Sequence, residues 1–191
     1  MMFQTNCYLF GDENTKEIVI MDPGGNASEI KNIIEKEGFR PVAVILTHKH
    51  MDHVGAALEV SKHFGNITLI GHEKDFRKTK FDKGNFRFVS ENDEINIGKE
   101  ILHVIDSPGH SKGGIMLVSY ENKLVFSGDT LFKGSIGRTD FGGNYEHLMN
   151  SIRKIMRNER ITDDFLVLPG HMGVSSIGVE RKTNMFRNDF L

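Results

Sequence analysis

Apolar positions along the chain change their spacing several times, and each change marks an element. In "QTNCYLF" (4–10) and "EIVIMD" (17–22), β-branched and aromatic residues gather in short runs around the polar stretch "GDENTK". This predicts two opening strands joined as a hairpin. From Asn26 the period lengthens. Ala27, Ile30, Ile33 and Ile34 form one helical stripe, with Asn26 as N-cap, Glu29 three residues on, and Gly38 as the stop. "VAVIL" (42–46) is continuously apolar, as in a strand covered on both faces. One helix is expected over 53–65, ended by Gly65, and a strand over 67–71. The stretch 72–90 mixes charge with aromatics and shows no period. Strands recur at 101–105, 115–119, 123–126 and 165–168. The clearest helix covers 144–158, where Tyr145, Leu148, Met149, Ile152, Ile155 and Met156 follow the i, i+3, i+4, i+7 rule. Helices interleaved with strands predict an α/β layered architecture. With no repeat or linker, the 191 residues are expected to form one domain over 1–191.

Composition narrows the function classes. Charged residues make up 26% of the chain, and 24 basic against 26 acidic side chains leave a net charge of −2. That balance offers no electrostatic footing for nucleic acid or an anionic membrane. No apolar stretch approaches the ~18 residues of a transmembrane span. The opening "MMFQTNCYLFGDEN" lacks the basic and apolar regions of a signal peptide. The single cysteine, Cys7, reads as a small buried side chain, and nothing points to secretion, so a cytoplasmic location is expected.

Candidate chemistry sits where apolar runs end. "VAVIL" runs into "THKHMDH", with His48, His50, Asp52 and His53. "ILHVI" (101–105) runs into "DSPGH" and His110, "LVF" (124–126) into "SGDT" and Asp129, and "FLVL" (165–168) into "PGH" and His171. Ligands on loops at strand ends suit a site on the rim of a sheet. His48 and His50, two apart, point to nearly opposite sides of a helix but converge on an extended loop. The spacing groups His48, His50 and His110 for one metal, and Asp52, His53 and His171 for another, with Asp129 as bridge. Imidazole with carboxylate suits zinc, manganese or iron. His63, His72, His103 and His147 lie outside this pattern and read as core or surface residues.

Together these residues resemble the metallo-β-lactamase superfamily, whose T-H-x-H-x-D-H signature is followed by a distant His, an Asp and a final His. "TNCYL", "DPGG" (22–25), "SPGHSKGG" (107–114), "SGDTLF" (127–132), "GSIGRTDFGG" (134–143) and "IGVERKTN" (177–184) resemble its small glyoxalase II-like hydrolases. The resemblance implies an αββα four-layer sandwich with the metal site at one sheet edge. Family members usually begin with an additional strand, and here the chain opens almost at "TNCYL", which implies a shortened start or a displaced sheet edge. Their last ligand usually sits in G-H-G-P, where this chain has Gly170-His171-Met172-Gly173. Only 20 residues follow His171, too few for the helical domain that larger glyoxalase II enzymes use to hold glutathione.

The function implied is dinuclear-metal hydrolysis of small thioesters or esters, with two divalent ions, zinc first and iron or manganese as alternatives. A metal-bound hydroxide would attack, and Asp52 would bind one ion and orient that hydroxide. Arg138 and Asp140 of "GRTD" would support a ligand histidine or pair with each other. The basic residues Lys74, Arg77, Lys78, Lys80, Lys83 and Arg87 offer either attraction for a carboxylate-bearing substrate or a solvated surface broken by Glu73, Asp75 and Asp82. The alternative reaction is mononuclear iron persulfide oxidation, using His48, His110 and Asp129. A third reading is a metal-holding domain without catalysis. Phosphodiester cleavage is disfavoured by the lack of basic surface, and β-lactam cleavage because enzymes of that kind often carry Cys where Asp129 stands.

Overall fold

The computed structural model describes residues 4–191. Its first half alternates strands and helices: β1 (Tyr8–Gly11), β2 (Glu17–Met21), α1 (Ala27–Glu37), β3 (Arg40–Ile45), α2 (Met51–Val54), α3 (Ala57–His63), β4 (Thr68–His72), α4 (Glu73–Phe76) and β5 (Phe86–Val89). These strands form one sheet in the order β1-β2-β3-β4-β5, with β1 antiparallel to β2 and the rest parallel. The second half begins with β6 (Glu94–Ile97), β7 (Glu100–Asp106), β8 (Ile115–Ser119) and β9 (Leu124–Gly128). A small hairpin, β10 (Leu131–Phe132) and β11 (Ser135–Ile136), leads to α5 (Tyr145–Met156), β12 (Leu166–Pro169), β13 (Ser175–Ser176), α6 (Ile177–Thr183) and α7 (Arg187–Phe190). The second sheet runs β13-β12-β9-β8-β7-β6, and only β9 and β12 are parallel.

Strand alternation sorts the side chains into four layers. Val19, Met21, Ala43 and Ile45 of the first sheet meet Leu102, Val104, Ile115 and Leu117 of the second in a core between the sheets. Their neighbours Ile18, Ile20, Val44 and Leu46 face outward beneath α1 and α3. On the other side Ile105, Met116, Val118 and Val125 pack beneath α5, with Ile177 and Phe190 from the two last helices. This is the αββα sandwich expected. Among the described residues no helix is long and apolar enough to cross a membrane.

Several local expectations change. The helix expected over 53–65 is two short ones, because the loop after β2 intrudes. The Ala56 amide donates to the Pro23 carbonyl, and a Cβ on Gly55 would lie 2.3 Å from the Gly24 carbonyl oxygen. Asn26 does stand before α1, but in a left-handed conformation with no side-chain cap; its carbonyl takes the first helical bonds instead. Ile33 departs from the buried stripe and is 44% exposed, whereas Ile30 and Ile34 are buried. Tyr145 also stays exposed, its hydroxyl donating to Asp189 on α7 at 2.6 Å. The opening strand starts at Tyr8, because the Asn6 amide bonds across to the Gly170 carbonyl. The unreadable stretch 72–90 contains α4 and β5, whose Phe76 and Phe86 pack ring to ring.

Leu117 is fully buried between the sheets. Leu117→Ala is expected to lower unfolding free energy by ~2–5 kcal/mol, read as a shift in the denaturation midpoint without a change of slope.

Candidate metal centre

The expected site residues converge at one edge of the sandwich. β2, β3, β9 and β12 all end there, and the loops beyond them carry the chemistry. Thr47 and His48 follow β3, and the rest of that segment turns into α2, which His50 precedes and which bears Asp52 and His53. The loop after β7 carries His110 and is held by α5: the Ser151 hydroxyl donates to the Pro108 carbonyl at 2.7 Å, and Asn144 N to the Gly109 carbonyl at 2.7 Å. Asp129 follows β9, and His171 follows β12.

Among the described residues, His48, His50 and His110 form one group of possible ligands and Asp52, His53 and His171 another, with donor atoms within 4.8 Å inside each group. His50 Nδ1 faces His110 Nε2 at 2.8 Å, and His53 Nε2 faces His171 Nε2 at 3.3 Å. Asp129 lies between the groups. One oxygen is 3.3 Å from His53 Nε2, and the other is 3.4 Å from His110 Nε2 and 3.5 Å from His171 Nε2. His171 Nε2 is also 3.2 Å from Asp52. The fit to a cation rests on these converging nitrogens and on His48 Nε2, which is buried and makes no hydrogen bond within the described protein. A buried acceptor of that kind is costly unless something binds it.

The outward nitrogens explain why the inward ones point as they do. His110 Nδ1 donates to the Arg138 carbonyl at 2.7 Å, and His171 Nδ1 to the Gln4 carbonyl at 2.9 Å. His53 Nδ1 donates to Asp22 at 2.9 Å, and His48 Nδ1 to the Thr47 hydroxyl at 3.1 Å. These bonds leave Nε2 of four histidines turned inward, the usual way a protein fixes the ligating tautomer. Arg138 and Asp140 pair with each other at the surface; it is the backbone of Arg138 that reaches His110. His63 and His103 pair with Glu35 and Glu94, and His72 accepts from Lys74 N, all away from the cluster.

Two supporting carboxylates had no role assigned from sequence. Asp22, in "DPGG", is buried and accepts from Thr47 N at 2.8 Å, from the Thr47 hydroxyl at 2.6 Å and from His53. Its place right after a strand was the available signal. Asp75, read as part of a charged surface, is instead buried. It accepts from Lys49 N at 3.2 Å and from Gly113 N at 2.8 Å, so one carboxylate clamps the His48–His50 loop to the His110 loop. None of the six basic residues of the 74–87 stretch lines the cleft; Arg77 is paired with Glu73.

Burial, aided by neighbouring imidazoles, pushes the His48 pKa well down, and burial with His110 lowers that of His50. Burial works against the charge on His53 too, but Asp22 and Asp129 prevail and raise it to about 10. Burial opposes ionisation of Asp129, yet the bond to His53 and the surrounding imidazoles lower its pKa. Cys7 is pushed up to about 12 by burial and by Asp22, which keeps the thiol protonated at neutral pH. Backbone crowding is severe: a Cβ on Gly170 would lie 2.4 Å from Asp129 Oδ1 and 2.5 Å from His53.

The model of the metallo-beta-lactamase superfamily matches residues 2–171. Hydroxyacylglutathione hydrolase GloC of Haemophilus influenzae is 37% identical over 205 residues, covering 97% of this chain and 94% of that protein. Among solved structures, the BLEG-1 B3 metallo-beta-lactamase superposes with a TM-score of 0.85 at 32% identity, over 98% of this chain and 96% of the other. ETHE1 from Myxococcus xanthus also gives 0.85, at 28% identity, over 100% and 88%.

Asp22→Asn is expected to weaken metal binding by about 10–100-fold, measured by competition with a chromogenic chelator. Asp75→Ala should loosen the three-histidine group first. Titration of the variant with cobalt would then resolve two unequal binding steps, the weaker one with the spectrum of the imidazole-rich site.

Proposed function

Because the chain belongs to the metallo-beta-lactamase superfamily, we propose that it is a dinuclear-metal hydrolase of thioesters or related small esters. The observation that carries this reading is the pairing of two three-residue ligand groups across one buried carboxylate, Asp129. His48, His50 and His110 would hold one ion, Asp52, His53 and His171 the other, with Asp129 shared. Zinc suits the imidazole and carboxylate donors, and iron or manganese remain alternatives.

When bound, a pair of such ions supplies a water acidified from a pKa of about 15.7 toward ~7 and a Lewis acid for a carbonyl. The remaining work falls to the chain. Asp52 is 44% exposed to the cleft and accepts from the Thr5 hydroxyl at 3.4 Å, so its carboxylate is placed to orient a proton of the attacking water. Among the described residues that line the cleft there is no Lys or Tyr to protonate an alkoxide. A thiolate leaving group, with a conjugate pKa near ~8.5, needs no such acid, which favours thioesters. The name of the Haemophilus influenzae relative points the same way.

Purified protein is expected to carry close to two zinc equivalents and to cleave a small thioester. His53→Ala should lose one equivalent together with the activity, and chelation should abolish turnover until metal is restored. A single iron with oxygen uptake on a persulfide would overturn the reading, as would cephalosporin cleavage faster than that of any thioester.

A further inference from the structure

Beside the candidate metal site the cleft opens to about 1190 Å³, and much of its lining is apolar. Leu9, Ile30, Ile33, Phe132, Phe141 and Met172, from segments far apart in the chain, line it together with polar residues such as Gln4, Asn6 and Asn26. Three of these are conspicuously exposed for apolar side chains: Ile33 at 44%, Phe141 at 68% and Met172 at 56%. Scattered exposed apolar residues mean little, but a set converging on one cavity beside reactive groups marks a binding surface. Ile33 is the residue that leaves the buried stripe of α1. Met172 holds φ of 67°, a conformation that favours glycine, and so stations a pliable thioether at the cleft mouth.

Charge argues in the same direction. Apart from the site carboxylates and histidines, the charged groups among the described lining residues are Glu29 and Arg138. The Arg138 guanidinium is engaged by Asp140 through two bonds and lies 4.1 Å from the centre of the Phe141 ring. An anionic carrier such as glutathione would therefore meet Glu29 and a cation already paired.

We propose that this cleft binds an apolar chain of the substrate, so that the enzyme prefers thioesters of medium-length apolar groups over those of an anionic carrier. The proposal rests on the hydrolase reading for the chemistry, and on Ile33, Phe141 and Met172 for the selectivity. The chain could be the acyl group or the thiol, and both present the same methylene surface to the wall.

The test uses the metal-loaded protein and two substrate series. One runs from acetyl to decanoyl on a single small neutral thiol; the other keeps acetyl and lengthens the alkyl thiol. In one series kcat/KM should rise about two- to fourfold per methylene over the first several carbons, and that series identifies which end enters the cleft. Ile33→Asn and Phe141→Ser should each reduce the long-to-short ratio at least tenfold while thermal unfolding stays close to the parent. Calorimetry with octanamide against acetamide reads the same wall without hydrolysis: octanamide should bind, and Ile33→Asn should abolish its binding. If acetyl thioesters turn over but both series are flat, or a glutathione thioester is preferred, the hydrolase reading stands and this proposal falls. If nothing is hydrolysed but octanamide binding depends on Ile33, the cleft's apolar binding stands, while the hydrolase reading and with it the thioester preference fall. A dimer dissolved by Phe141→Ser, with no chain-length effect, would assign the wall to self-association and overturn the proposal.

Discussion

The carboxylate of Asp22 is the point from which the site edge is built. It is buried beyond the end of β2, where an ionised group is expensive unless every lone pair is used. Here Thr47 supplies two donors and His53 a third. The Thr47 hydroxyl, having donated its proton to Asp22, is free to accept from His48, and the Thr47 carbonyl takes the amide of Ile115 from the opposite sheet at 2.9 Å. One charge thus orients two histidines and registers one sheet against the other. Gly128, at φ of 49°, lets the Asp129 loop pass this cluster, since a Cβ there would come within 2.7 Å of the Thr47 hydroxyl.

Around that anchor the electrostatics divide in two. Burial lowers the pKa of His48, helped by His53 and His110, and that of His50, helped by His110, so both offer lone pairs. His53 sits between Asp22 and Asp129, which favour its proton strongly. A cation placed among these groups would take over the role that this proton plays, since ligation and protonation compete for the same nitrogen.

The parts legible in the sequence were those with rare residue types in a repeated context. Histidines and Asp129 each follow an apolar run, and that repetition identified all seven candidate positions that the fold gathers. Interleaved apolar runs and helical stripes made an α/β layered architecture legible, while the four-layer sandwich came only from the family resemblance. What escaped notice depends on approach through space. Asp22 and Asp75 are common acidic residues whose roles arise only because loops from elsewhere bring amides to them. The break at Gly55 is invisible locally, since 53–65 reads well as one helix until Pro23 and Gly24 press against it. Ile33 obeys the helical period, but the helix ends its contact with the sheet on that side.

One further consequence concerns timing. Asn6 and Tyr8 donate to the Pro169 carbonyl, Asn6 also to that of Met172, and His171 donates to the carbonyl of Gln4. These contacts join positions 161 to 167 residues apart. Loop-closure entropy makes such long-range pairing slow. On a growing chain Asp22 and the histidines it orients are made early, whereas His171 comes last, so the ligand group that includes it is completed only when the last part of the second sheet arrives. The cluster is thereby closed by the same late segment that completes the second sheet.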